Sequence, residues 1–509
     1  MRRATRRIAA RLPVTLLGAF AAALLLAVPA WAHTHLVRSD PQRDSVVHEQ
    51  LHRVLLVFSE PPQVGLTTIR LMAPDGRTLS LPVQRDSTDH NAVWAPVAEP
   101  LAPGAYRIDW KTVSPDGHPA AGSVPFTMAA PDPADSAARA DAIATAATPA
   151  AGAGAGAAQR SAATQEPEGG FGVTSPLYVV IRWLVYAGIL GIIGAIVFHL
   201  IVIRLAMVRS RDWGVLRSAA TERARTVGMR AAWLFIIATL LRAVAQCVAV
   251  NGPAAPFASA RVALLFLHTL WGWAWFAALA AAIASVVAFA RIRRGLRYGW
   301  GLAAAAALVM ALALSLSGHA VAVQSAVPVA VALDAVHIVA AGGWLGTLLV
   351  LVLAGIPAAR QISAEQPAPA LRDLVTVFSP VTLTSAAIIV VTGLITAWFH
   401  LGSIPALWST PYGRVLIIKL VALVATLAVG AYNWKVLTPR LGDGNAPARL
   451  RSSSMGELAL GVVILAVTAV LVATPPPADA MSTNGGAAAP AASSPGASPG
   501  VAPSAAGGM

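Results

Sequence analysis

Cysteine is almost missing from this chain of 509 residues, where Cys247 stands alone. No disulfide can close within the chain and no Cys-pair metal site exists, so any metal must be held by nitrogen, oxygen or thioether ligands. Charge is scarce too. Asp, Glu, Lys and Arg make up 12% of the residues against 56% hydrophobic ones, about half the charged share of a soluble globule. No GxxxxGK[ST] run is present, so ATP-driven export is not indicated. The net charge of +14 does not point to nucleic acid, because the arginines sit at the ends of apolar runs.

What is there falls into five segments. In residues 1–32, Arg2, Arg3, Arg6, Arg7 and Arg11 precede an apolar stretch that ends in Ala30-Trp31-Ala32, the pattern of a cleaved signal peptide. Cleavage there leaves His33 as the first mature residue. Residues 33–128 carry short apolar runs such as Val54-Leu55-Leu56-Val57-Phe58, separated by turn signals including Pro74-Asp75-Gly76 and Pro115-Asp116-Gly117. That punctuation predicts an all-β sandwich or barrel. Residues 129–172 read as an Ala/Gly/Pro linker. Residues 173–474 hold eight apolar segments near 176–203, 229–250, 262–290, 300–318, 326–356, 374–399, 414–436 and 456–474, each about the ~20 residues that span a bilayer. Residues 475–509, rich in Ala, Pro, Ser and Gly, read as an unstructured tail.

The basic residues fix an orientation. Seven arginines lie from Arg204 to Arg230, and others follow at Arg291, Arg293, Arg294 and Arg297, at Arg360 and Arg372, and at Arg440, Arg449 and Arg451. All fall in alternate loops. The positive-inside rule then places the β domain and the tail outside a bacterial inner membrane, where a signal peptide would deliver that domain.

A mature N-terminal His33 offers its α-amine and imidazole together, a two-nitrogen chelate suited to copper(II). Asp116 and His118 lie two apart on one turn and supply a carboxylate and a second imidazole. The same Pro-Asp-Gly run reads equally as an ordinary hairpin turn. His35, at mature position three, allows a competing chelate through backbone amides.

These residues carry a family resemblance. HTHLVRSDPQRDSVV, VLLVFSEPP and YRIDWKTVSPDGHPAAGSVPFTM together resemble the CopC-like copper-binding domain along 33–128. The resemblance implies a Greek-key β sandwich with a copper(II) site made by His33, Asp116 and His118. Some relatives carry a methionine-rich copper(I) loop. This stretch has only Met72 and Met128, which favours a copper(II) site alone.

Histidines inside spans are costly and mark function. His268, His319, His337 and His400 fall in the half of the bundle nearer the β domain, and His199 lies at the other end. Asp334 and His337 are three apart and share a helix face, which would let the carboxylate orient the imidazole. Arg182, Arg242 and Lys419 are candidate partners for Asp334 or Glu457. LSGHA at 316–320, DAVHIVAAGGWLG at 334–346, FSPVTLTSAAIIVVTGLITAW at 378–398 and TPYGRVLIIKLVALVATLAVGAYNW at 410–434 resemble the CopD-like copper-resistance membrane domain. That likeness implies copper, as Cu(I) or Cu(II), in a helical bundle of about eight spans.

The combined expectation is a copper-transport and homeostasis protein and not an enzyme. It captures copper(II) outside and passes it across the linker to His319, His337, Asp334, His268 and His400, with import favoured. Copper ions, the lipid bilayer and periplasmic copper proteins are the expected partners. Three alternatives stand beside it. One is a copper oxygenase, disfavoured because Asp116 would fill the oxygen position. Another is a b-type haem protein with His268 and His337 as axial ligands. The third is a copper sensor or buffer that transports nothing.

Overall fold

The structure is a computed structural model that describes residues 35–114, 117, 119–130, 175–209, 214–252, 254–296, 298–318, 327–362, 368–440 and 446–474. Of the expected site residues, His33, Asp116, His118 and His319 lie outside the described residues. So do the expected signal peptide, nearly all of the linker, and the tail.

Alternating side chains build the first unit. Along β3 (Arg53–Phe58), Val54, Leu56 and Phe58 are buried while Arg53 faces out, the period of two that a half-buried strand requires. One sheet runs β1 (Leu36–Asp40), β3, β7 (Ala92–Pro96) and β6 (Gln84–Arg85). The other runs β2 (Val46–Val47), β9 (Pro119–Met128), β8 (Gly104–Val113), β4 (Thr68–Met72) and β5 (Thr78–Leu81). All pairings are antiparallel except β2 with β9. The two inner faces meet in one core, where Phe58 and Trp110 pack edge to face with centroids 5.1 Å apart. The expected β sandwich is present.

Among the described residues, eight helices are long and apolar enough to cross a membrane: α1 (Pro176–Val208), α2 (Gly214–Asn251), α4 (Leu270–Arg293), α5 (Gly299–Leu316), α6 (Val327–Gln361), α7 (Pro369–Leu401), α8 (Pro411–Leu437) and α9 (Ala448–Leu471). A short helix, α3 (Ser259–Leu267), precedes α4. The expected third segment, near 262–290, is therefore broken. His268 ends α3, and the Thr269 hydroxyl accepts from the Gly272 N–H at 3.1 Å to start a new helix, as an N-cap residue does. Helix α2 also begins well before the expected 229. Its arginine-bearing first turns stay helical, with Arg225 paired to Glu222.

Small residues set the packing of α1 on α6. A side chain at Gly194 or Gly346 would overlap the other helix's backbone, so these two glycines permit a helix contact that no larger residue allows. The crossing coincides with a wide π-helical turn, Gly342–Gly346.

The two units are docked. Leu66 and Val113 of the sandwich pack with Cys247, Val250, Leu265, Trp271 and Trp275 of the bundle in a single apolar cluster. Arg261 donates to the Leu66 carbonyl at 3.1 Å, Gln246 donates to the Gly117 carbonyl at 2.9 Å, and Lys111 donates to the Ala249 carbonyl. A chain reading that treats the β domain as a free unit on a tether misses this seat.

Candidate functional site

The docked end of the sandwich holds the start of β1 and the end of β8. Strands β8 and β9 pair over ten residues, from Gly104↔Met128 to Val113↔Pro119, and of the residues between them Ser114 and Gly117 are described. Just before β1, the His35 N–H donates to Ser59 Oγ at 3.1 Å and the Ser59 N–H to the His35 carbonyl at 2.9 Å. Gln63 then bonds the Val113 carbonyl at 3.1 Å. The start of β1 and the tip of β8 thus share one end through the segment after β3. Glu60 lies in that segment and is fully buried, a carboxylate that its sequence context, beside two prolines, did not single out. Among the described residues, no three His, Cys, Asp or Glu side chains gather as a metal cluster.

Gly117 shows how closely this tip meets the bundle. Its φ is +87°, a conformation that favours glycine, and a side chain there would collide with Trp271. Beside it, Lys111 is half-buried. Desolvation first, then Arg261 and Arg70 nearby, hold its ammonium below the ordinary range.

Below the contact lie two cavities. The smaller, of about 30 Å³, is lined by Tyr178, Arg182, Tyr186, Arg242, Gln246 and Trp271 among others. The larger, of about 260 Å³, is lined by Asp334, His337, Trp344, His400, Tyr412 and Lys419 within a mostly apolar wall. Tyr186, Leu314, Gly318 and Val472 line both. Trp271 and Gln246 therefore touch the sandwich and also line the smaller cavity.

Two imidazoles face the larger cavity in a defined state. His400 Nδ1 lies 2.8 Å from the Thr396 carbonyl oxygen. A carbonyl only accepts, so Nδ1 carries the hydrogen and Nε2 keeps the lone pair of the neutral ring. Among the described residues, that Nε2 is buried with no hydrogen-bond partner, while the ring stacks on Tyr412 at 6.0 Å. His337 Nδ1 lies 2.9 Å from Thr392 Oγ1, whose own hydrogen goes to the Ile388 carbonyl at 2.7 Å. The threonine oxygen accepts, and His337 also presents Nε2 as its lone-pair nitrogen. Backbone and hydroxyl groups that fix Nδ1–H while leaving Nε2 free are the usual support of a metal-binding histidine. His337 stands ten residues into α6, about 15 Å along the helix axis.

The expected Asp334–His337 pairing is not what orients the ring; Thr392 does so, and Asp334 instead lines the same cavity as Lys419. His268 is exposed at the break before α4 and lines neither cavity. His199 stacks on Trp300 at 4.0 Å and reaches Thr221 at 3.2 Å near the opposite face. Glu457 takes hydrogen bonds from Trp344 Nε1 and Asn433 Nδ2, both at 3.1 Å, rather than from an arginine or lysine. Residue-by-residue reading did not single out Thr392 and Thr396, yet their spacing held a signal. Thr392, Thr396 and His400 repeat every four residues, one polar stripe along the otherwise apolar stretch 386–401 of that helix.

A β sandwich seated on eight apolar spans, with imidazoles facing an internal cavity, defines a multi-pass membrane protein with a fused extramembrane domain. Comparison with known proteins identifies both parts. Residues 36–129 match the CopC domain, 173–327 match the copper resistance protein D-like N-terminal domain, and 372–471 match copper resistance protein D. The copper transport protein CutJ of Bacillus subtilis is 25% identical over 458 residues, covering 88% of this chain and 75% of that protein. Copper resistance protein C of Escherichia coli is 34% identical over 110 residues, 20% of this chain and 86% of that protein. The crystal structure of PcoC from Escherichia coli, a methionine-rich copper resistance protein, aligns at 32% identity over 19% of this chain and 99% of that one, with a TM-score of 0.17. The chain belongs to the copper-resistance families, with a CopC domain and copper resistance protein D domains fused in one polypeptide.

Proposed function

We propose that this protein imports copper across a bacterial inner membrane. Copper(II) is captured at His33, Asp116 and His118 on the periplasmic side, then delivered directly through the docked face into the bundle. The sandwich and the tail from residue 475 share that side, and the protein is a carrier rather than an enzyme. The observation that carries the reading is the larger cavity, where His337 and His400 both present Nε2 from rings held at Nδ1. Imidazole nitrogens suit copper in either oxidation state, and a buried ligand without a partner is costly unless it is used. The seat of the sandwich removes any need for a long diffusive step, since Trp271 and Gln246 separate the hairpin tip from the first cavity.

Copper accumulation in proteoliposomes that contain the full-length protein tests this reading. Wild type is expected to load the vesicles, and His337→Ala with His400→Ala is expected to abolish loading while copper(II) binding to the sandwich persists. Undiminished accumulation in that double variant would remove the cavity from the route. Binding without any accumulation in wild type would leave a buffer in place of a carrier.

A further inference from the structure

The smaller cavity is a poor resting place for a bare cation. Arg182 of α1 and Arg242 of α2 both line it. The Arg182 guanidinium lies over the Tyr178 ring with Cζ 4.5 Å from the centroid, and that of Arg242 over Trp271 at 5.5 Å. Arg242 donates through Nη1 to the Ser317 hydroxyl at 3.1 Å and through Nη2 to the Ser317 carbonyl at 2.9 Å. Among the described residues, its Nε and the Nη1 of Arg182 are buried atoms with no hydrogen-bond partner. Among the described residues, neither arginine forms an ion pair.

A guanidinium stays charged at any working pH, and a buried charge without a partner is strongly disfavoured. Both part-buried arginines line the same cavity, and among the described residues each keeps one buried N–H donor without a partner. Aromatic faces and a serine soften the charge but do not cancel it. The neighbouring cavity adds Lys419 and only one carboxylate, Asp334, so the fixed charge along this stretch of the described chain stays positive. A cavity of about 30 Å³ exceeds the ~10–15 Å³ that one water needs, which gives room for one small ion.

We propose that Arg182 and Arg242 together bind one small monovalent anion, a free halide or a small carboxylate, in the cavity beneath the docked sandwich. Arg182 Nη1 and Arg242 Nε are its charge-assisted donors. The site itself requires nothing of the copper reading. Only its use rests on that reading: the anion supplies the negative charge that lets a copper cation pass two arginines on leaving the hairpin tip.

Chloride titration of the full-length protein in nanodiscs, followed by ³⁵Cl NMR linewidth in copper-free and otherwise halide-free buffer, tests the site separately from transport. Wild type is expected to give saturable excess broadening. Arg182→Gln with Arg242→Gln is expected to weaken it by at least about tenfold, since each change removes a charge-assisted donor, and Arg182→Lys to retain part of it. Displacement of chloride by formate at lower concentration identifies a carboxylate as the preferred ion, and the reverse order identifies a halide. Wild type without saturable broadening by chloride and without formate binding overturns the proposal, as does full broadening in the double variant. Bromide-soaked crystals of the wild type cover the case in which the variant does not fold. An anomalous peak within hydrogen-bond distance of Arg182 Nη1 and Arg242 Nε supports the site, and an empty cavity at saturating bromide overturns it.

Discussion

His337 and His400 each have one ring nitrogen fixed by a neighbour. Thr392 accepts from His337, and the Thr396 carbonyl accepts from His400. Replacing Thr392 by valine keeps the shape and removes the acceptor, so the His337 ring loses its fixed tautomer. The copper concentration for half-maximal accumulation is expected to rise about 10–100-fold in Thr392→Val, read in the proteoliposome assay. On the sandwich surface, Asp86 accepts from the Thr88 hydroxyl at 2.6 Å, the Thr88 N–H at 2.8 Å and the Asp89 N–H at 3.2 Å. These bonds, the hydroxyl first, hold its carboxyl below the ordinary 3.8. A carboxyl lowered on folding adds stability that is present above its unfolded value and is lost as pH falls through the folded one. Acid unfolding of the sandwich, followed by tryptophan fluorescence below about pH 3.8, is therefore expected to be less steep in Asp86→Asn.

At the scale of elements, the contact between α1 and α6 depends on Gly194 and Gly346. Adding a methyl group at either forces backbone atoms apart, and overpacking of this kind costs about 1–3 kcal/mol or more. Gly346→Ala is expected to lower the thermal midpoint of the detergent-solubilised protein and to cut copper accumulation, because α6 carries both Asp334 and His337. An unchanged midpoint would show that the helices can separate without loss. The break between α3 and α4 has its own logic. Thr269 caps the new helix, and the freed α3 supplies Leu265, while Arg261 reaches the Leu66 carbonyl. Both contacts of the seat that α3 makes, through Leu265 and Arg261, depend on that break.

For the whole molecule, the seat joins the sandwich to the bundle through one apolar contact. Leu66 and Val113 are buried against Trp271 and Leu265, so a charge placed there cannot be satisfied once the units dock. Val113→Asp is expected to release the sandwich. Proteolysis within 131–174 should then quicken, and copper accumulation should fall at least about tenfold while copper(II) binding by the sandwich stays intact. Equal accumulation in that variant would mean that delivery does not use the docked face.

Much of this protein was legible in its residues. The period of two along Arg53–Phe58, the turn signals between strands and the length of the apolar runs are local properties, and local periodicity and bilayer thickness dictate their outcome. His337 and His400 could be picked out for the same reason, since a histidine inside an apolar span is conspicuous in one dimension. Their hydrogen-bond partners were harder to see. Thr396 sits four residues before His400 on its own helix, but Thr392 reaches His337 from 55 positions away. The docking of Leu66 and Val113 on Trp271, the cavities that share Tyr186, and the two arginines around one hole each join residues distant in the chain. Such contacts depend on how helices pack side by side and on which surfaces the sandwich can bury, and only the tertiary structure decides them.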